Sequence, residues 1–93
     1  MPDRTLTILD PSGLHARPAA RFVQVASRFT SRILIRQGER EADAKSLIAL
    51  LGLTIRPSSQ ITLSAEGSDA EEALTALITE LGSYATPVPD PNA

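Results

Sequence analysis

Each periodic segment of this sequence has only one apolar side, and that restricts the chain to a two-layer fold. Thr5-Leu6-Thr7-Ile8 and Ile61-Thr62-Leu63-Ser64-Ala65 alternate polar and apolar side chains, the period of half-buried strands. From Ala19 to Phe29 the apolar positions are 19, 22, 23, 26 and 29, and residues 70, 73, 74, 77, 78 and 81 repeat that spacing. These are helical stripes, each with one core-facing side. One-sided strands and one-sided helices bury each other only if the helices lie on one face of a single sheet. A chain of 93 residues is the size of one such domain, and it removes only about 60–65% of its unfolded surface from water.

The remaining elements follow from local signals. Asp10-Pro11-Ser12-Gly13 stops the first strand with four turn-formers in a row. Pro18 lacks an N–H and fits only in the first turn of a helix, so that helix begins between residues 16 and 18. Arg32–Arg36 is a β-branched strand, and Gln37-Gly38-Glu39 turns it into a weaker edge strand over Arg40–Ala44. Ser46 is placed to cap a short helix over Leu47–Leu51, which Gly52 can end, with an irregular loop through Pro57. Ser68 and Glu71 have the spacing of a capping box for the last helix. The order β-α-β-β-α-β-α predicts an α+β open sandwich, a four-stranded antiparallel sheet covered on one face by three helices. Residues 1–83 form the domain. Residues 84–93, with Pro87, Pro89 and Pro91 and no periodicity, are read as a disordered tail.

Composition removes several function classes. The chain has no Cys, which excludes disulfides, thiolate metal sites and cysteine nucleophiles together. With no Trp, one Tyr and two Phe there is little on which to stack bases, and a net charge of −2 argues against a nucleic-acid binder built on the Arg stripe. All nine basic side chains fall within residues 1–64, while residues 65–93 hold six acids and no base, so the molecule has a basic part able to steer a complementary partner. Met-Pro-Asp-Arg is not a secretory start and no apolar run approaches a membrane span, so the expected location is the cytoplasm. No metal or cofactor is expected, because a lone His without Cys has only scattered carboxylates as co-ligands.

That lone histidine, His15, sits between a Gly-containing turn and a helix start and is followed by Arg17 and Pro18. A helix N-terminus favours an anion over a cation. A neutral imidazole there is a nucleophile, and the same field would hold a phosphoryl group once transferred. Arg17 offers a planar, permanently charged fork for phosphate oxygens, and Gly13 permits a positive φ or a close backbone approach. The bland readings are the commoner ones. His15 could be a cap, surface residue or core filler; Arg17, Arg21 and Arg28 a solvated helix face; Ser46 an N-cap. Residue types alone leave these open.

Gly13-Leu14-His15-Ala16-Arg17-Pro18-Ala19 resembles the active-site signature of the HPr family, the histidine-containing phosphocarriers of the bacterial sugar phosphotransferase system. Ala44-Lys45-Ser46-Leu47-Ile48 resembles that family's regulatory-serine region. Ile61–Gly67 and Asp69–Leu74 resemble its last strand and last helix, so the resemblance spans about residues 4–82. It implies an open-faced β-sandwich. It implies that His15 accepts a phosphoryl group on Nδ1 from phosphorylated Enzyme I, itself charged by phosphoenolpyruvate, and passes it to enzyme IIA domains of sugar transporters. In that role Arg17 steadies the phosphate, and Arg17, Arg21, Leu47, Ile48 and Leu51, with part of Phe22, face the partners. The protein would be a monomeric carrier with no cofactor, not a stand-alone enzyme.

In one branch of the family Ser46 is phosphorylated by an ATP-dependent HPr kinase/phosphorylase, which implies a link to carbon-catabolite regulation. Three departures stand out: Ser12 where the family often has Asn, Ala49 where it often has Gly, and the extension beyond residue 84. Alternatives are a paralogous carrier in a nitrogen-related or dihydroxyacetone kinase chain, and a regulatory binding module of the same fold. The retained His15 argues against the last.

Overall fold

The computed structural model describes residues 2–11, 13 and 15–88. The strands are β1 (Asp3–Ile8), β2 (Arg32–Gln37), β3 (Arg40–Asp43), β4 (Gln60–Glu66) and β5 (Ala85–Pro87), and the helices α1 (Ala16–Ala26), α2 (Leu47–Gly52) and α3 (Ala70–Leu81). A 3-10 turn over Gly82–Tyr84 joins α3 to β5. The sheet is antiparallel throughout, in the order β3-β2-β4-β1-β5.

Register explains the single covered face. Leu6 pairs with Ile61, Ile35 with both Leu63 and Ala42, and Ile33 with Ala65. All of these are buried, together with Ala19, Phe22, Val25 and Ala26 of α1 and Ala73, Leu74, Leu77 and Leu81 of α3. Residues of the opposite parity, Thr5 and Thr7 on β1 and Thr62 and Ser64 on β4, are half-exposed on the open face. The alternation read from the sequence is therefore the inside–outside pattern of the sheet.

The sheet has five strands where the sequence predicts four. Residues 84–88, assigned to the tail, instead carry a turn and an edge strand: Ala85, Thr86 and Pro87 pair with Ile8, Thr7 and Leu6, and the Val88 N–H donates to Thr5 O at 2.8 Å. Three residues with a Pro among them are too short to show alternation, and Pro is tolerated on an edge strand. Residues 89–93 and the expected Ser12 turn bond lie outside the described residues.

Two helix ends also differ. α1 ends at Ala26 rather than Phe29; the chain then tightens, with Arg28 N–H to Val25 O (3.1 Å) and Phe29 N–H to Ala26 O (3.2 Å). Lys45 Nζ reaches the Phe29 carbonyl at 2.7 Å. The N-cap of α3 is Asp69, not Ser68, and no capping box forms, because both acidic side chains are drawn elsewhere. Glu71 pairs with Arg4 at 2.7 Å. The Asp69 carboxylate accepts the backbone N–H of Thr30 and of Ser31, each at 2.9 Å, and both their hydroxyls. It thereby fastens the turn after α1 to the start of α3.

Those donors, the Ser31 hydroxyl first and the Thr30 amide next, hold Asp69 at a pKa of about 2, below its ordinary 3.8. A depressed carboxyl stabilises the fold fully above its unfolded value and loses that contribution as pH falls through the folded one. The denaturation midpoint should therefore fall between about pH 4 and pH 2. Asp69→Asn should lower the midpoint at neutral pH and flatten that acid limb, which urea titrations across the pH range would show.

Candidate functional site

The site is assembled at the end of the sheet where β1 stops. A turn closes there, with Gly13 N–H donating to Asp10 O at 2.9 Å, and Gly13 takes φ +68°. Gly13 is buried against the loop after α2, and a Cβ on it would stand 2.2 Å from the Ile55 carbonyl oxygen. Both freedoms expected of this glycine, left-handed backbone and close approach, are in use.

The loop it leans on is itself clamped. Gln37 Nε2, at the end of β2, donates to the carbonyls of Leu53 (3.2 Å) and Thr54 (3.3 Å), while its Oε1 accepts from the Arg56 N–H at 3.2 Å. Arg40 Nη2 holds the Gly52 carbonyl at 2.9 Å. Ile8 and the loop exchange two backbone bonds, Ile8 N–H to Ser59 O and Ser58 N–H to Ile8 O, both 2.9 Å. Thr54 and Ser58 are held at φ +53° and +66°, conformations that cost about 1–3 kcal/mol each and persist only where the surroundings enforce them.

Beyond the turn, His15 is the N-cap residue of α1, with extended backbone (φ −89°, ψ −175°), an exposed side chain and no side-chain cap bond. Its carbonyl accepts the Ala19 N–H at 3.0 Å, which starts the helical ladder. The first-turn amides of Ala16 and Arg17 precede that ladder and have no acceptor within the helix, and Pro18 has no N–H to satisfy. The imidazole thus stands on an open surface at the positive end of an eleven-residue helix. Arg17 is exposed two residues along, and Arg21 one turn further, its Nε 3.4 Å from Glu80 Oε1. The Arg21 side of that pair is largely solvent-exposed and the contact is long, so the pair is weak and leaves Arg21 available.

Ser46 caps α2, its Oγ accepting the Ala49 N–H at 3.2 Å. Gly52 is the last residue of α2 rather than a cap beyond it, and the left-handed residue that follows is Thr54. Leu50 is buried, whereas Leu47, Ile48 and Leu51 are exposed, Ile48 at 86%. Helices α1 and α2 pack against each other, while Arg21 turns toward α3 through Glu80. Phe22 is wholly buried and cannot face a partner; its place in the stripe puts it under α1 instead.

Sequence reasoning missed Gln37, Thr54 and Tyr84. The Tyr84 ring meets His15 edge-on, with centroids 6.4 Å apart and planes at 86°. A lone Gln at a strand end, a Thr in a loop and a Tyr in an aperiodic tail carry no local signal of such roles.

Comparison with known proteins points to one family. Residues 2–82 match the family model described as the phosphotransferase-system HPr component phosphorylation site. The phosphocarrier protein HPr of Lysinibacillus sphaericus is 42% identical over 85 residues, 88% of this chain and 97% of that one. The HPr-like protein Crh of Halalkalibacterium halodurans is 46% identical over 78 residues, 84% of this chain and 93% of that one. The crystal structure of HPr from Thermoanaerobacter tengcongensis superposes with a TM-score of 0.85 at 42% identity, over 90% of this chain and 94% of that one.

The seat of the site is directly testable. Gly13→Ala combines a left-handed Cβ with a backbone collision and should destabilise the protein by about 2–4 kcal/mol. Gly52→Ala, with nothing within 4 Å of the new Cβ and no positive φ, should be neutral or stabilise by up to about 1 kcal/mol. Urea midpoints of the two variants compare them.

Proposed function

The chain belongs to the HPr family of phosphocarriers, and on that premise we propose that it takes a phosphoryl group on His15 from phosphorylated Enzyme I and hands it to enzyme IIA domains of sugar transporters. The observation that carries this reading is the exposed imidazole of His15 at the N-cap of α1, with the Arg17 guanidinium in the first turn. In the transfer the lone pair of Nδ1, in the tautomer carrying its proton on Nε2, forms the new N–P bond. The bond joining phosphorus to the donor breaks, and its electron pair leaves with the donor atom, which takes up a proton as His15 Nε2 gives one up. The helix-start amides and Arg17 are suited to the phosphoryl oxygens. An open surface fits a carrier, because donor and acceptor must each reach the same atom in turn.

Leu47, Ile48 and Leu51 with Arg17 and Arg21 form the docking surface in this reading, an apolar centre with a basic rim. The carrier works as a monomer in the cytoplasm; among its described residues no helix is long and apolar enough to cross a membrane. A purely regulatory role, suggested by the similarity to Crh, has no need of an imidazole at residue 15, and so the carrier reading is preferred.

Incubation with phosphoenolpyruvate and Enzyme I should add one acid-labile phosphate, detected by mass, and His15→Ala should abolish it. A phosphate that survives the substitution would overturn the assignment. Arg17→Ala should fold normally and slow transfer roughly ten- to a hundredfold, the scale of a lost charge-assisted contact. Ser46 is the proposed regulatory site for an HPr kinase/phosphorylase. Its Oγ sits at the start of α2 beside Leu47 and Ile48, so a phosphate there brings negative charge to the docking surface. Ser46→Asp should raise the KM for Enzyme I without unfolding the protein, measurable in the same transfer assay.

A further inference from the structure

The segment after residue 82 lies beyond the span that matches the family, yet it is what stands beside His15. Gly82, at φ +50°, ends α3, and the 3-10 turn that follows brings Tyr84 to the site. Its backbone is tied down: the Tyr84 carbonyl accepts the Leu9 N–H at 2.7 Å and the Asp10 N–H at 3.4 Å. β5 then continues along β1 to the Val88–Thr5 bond. Tyr84 is thus fixed to the same strand end that carries the Asp10–Gly13 turn. Its half-buried ring meets the imidazole edge-on at 6.4 Å, and among the described residues this is the ring contact His15 makes.

An exposed His with no side-chain cap bond is free to rotate about both of its side-chain torsions, and in-line transfer needs one orientation of one ring nitrogen. We propose that Tyr84 is a positioning residue for His15. Its ring, anchored through β5, restricts the imidazole to the orientation from which transfer proceeds. This rests on the reading of His15 as the phosphoryl acceptor. An edge-to-face ring pair biases one orientation by roughly 2- to 12-fold, and that is the size of the effect expected on transfer. The phenol hydroxyl has no part in it.

The test compares wild type with Tyr84→Phe, Tyr84→Leu and Tyr84→Ala in the full chain. Side-chain couplings of His15 measured by NMR should show one dominant rotamer in wild type and Tyr84→Phe and averaging in the other two. The maximal rate of phosphoryl transfer from Enzyme I should fall roughly 2- to 12-fold in Tyr84→Leu and Tyr84→Ala, be retained in Tyr84→Phe, and leave KM unchanged. Amide exchange at Leu9 and Val88 reports whether β5 stays docked, and Tyr84→Leu keeps the bulk should Tyr84→Ala loosen it. Equal rotamers and rates in all four proteins overturn the proposal. So does a loss confined to KM, which would make Tyr84 a docking contact, or a loss in Tyr84→Phe as large as in Tyr84→Ala. A wild-type protein that takes no phosphate overturns the carrier reading instead.

Discussion

The contact between the α-carbon of Gly13 and the carbonyl of Ile55 governs the geometry of the functional end of this molecule. The turn that ends β1 can lie on the loop after α2 only because residue 13 has no Cβ; one placed there would be 2.2 Å from the Ile55 oxygen. The approach fixes where the chain leaves the turn, hence where α1 begins, and hence where His15 stands as its N-cap. The contact is as rigid as the loop behind it, and that loop is held by Gln37 through three hydrogen bonds and by Arg40 through a fourth. The positive φ values of Thr54 and Ser58 are conformations that such clamping can enforce.

Stability and chemistry are kept apart in this architecture. The inner face of the sheet, α1 and α3 supply a continuous apolar core, and none of the proposed site residues belongs to it. His15, Arg17, Arg21, Leu47, Ile48 and Leu51 are all exposed, so substitutions there test function without opening cavities. The opposite end of the sheet has the reverse character: the Asp69 carboxylate gathers the Thr30–Ser31 turn in a cluster of hydrogen bonds remote in role from transfer.

Much of this was legible in the residues. The two stripes placed α1 and α3, the alternation placed β1 and β4, β-branched residues placed β2, Ser46 capped α2 as its position predicted, and the turn before α1 uses the positive φ that Gly13 permits. What misled was local pattern without its competitors. Ser68 and Glu71 have capping-box spacing, but Arg4 and the Thr30–Ser31 turn, distant in sequence, took the acidic side chains of Glu71 and Asp69 for themselves. β5 escaped notice because it exists only as the partner of an open β1 edge. Phe22 was given a part in the partner face by the resemblance alone, whereas its place in the core-facing stripe already put it under α1, where it is wholly buried.

The sequence by itself determined the layers, the candidate nucleophile and the family, since amphipathic periods and a heptapeptide around one histidine are local properties written along the chain. Only the tertiary structure decided what surrounds that histidine. The Ile55 carbonyl lies 42 positions from Gly13, Gln37 lies 16 to 19 positions from the loop residues it clamps, and the Tyr84 ring lies 69 positions from His15. No side-chain period links positions so far apart. They meet because the antiparallel sheet brings the β1 end, the β2 end and the α3 exit together, where backbone hydrogen bonds from Ile8 and Leu9 and the side chains of Gln37 and Arg40 lock them in place.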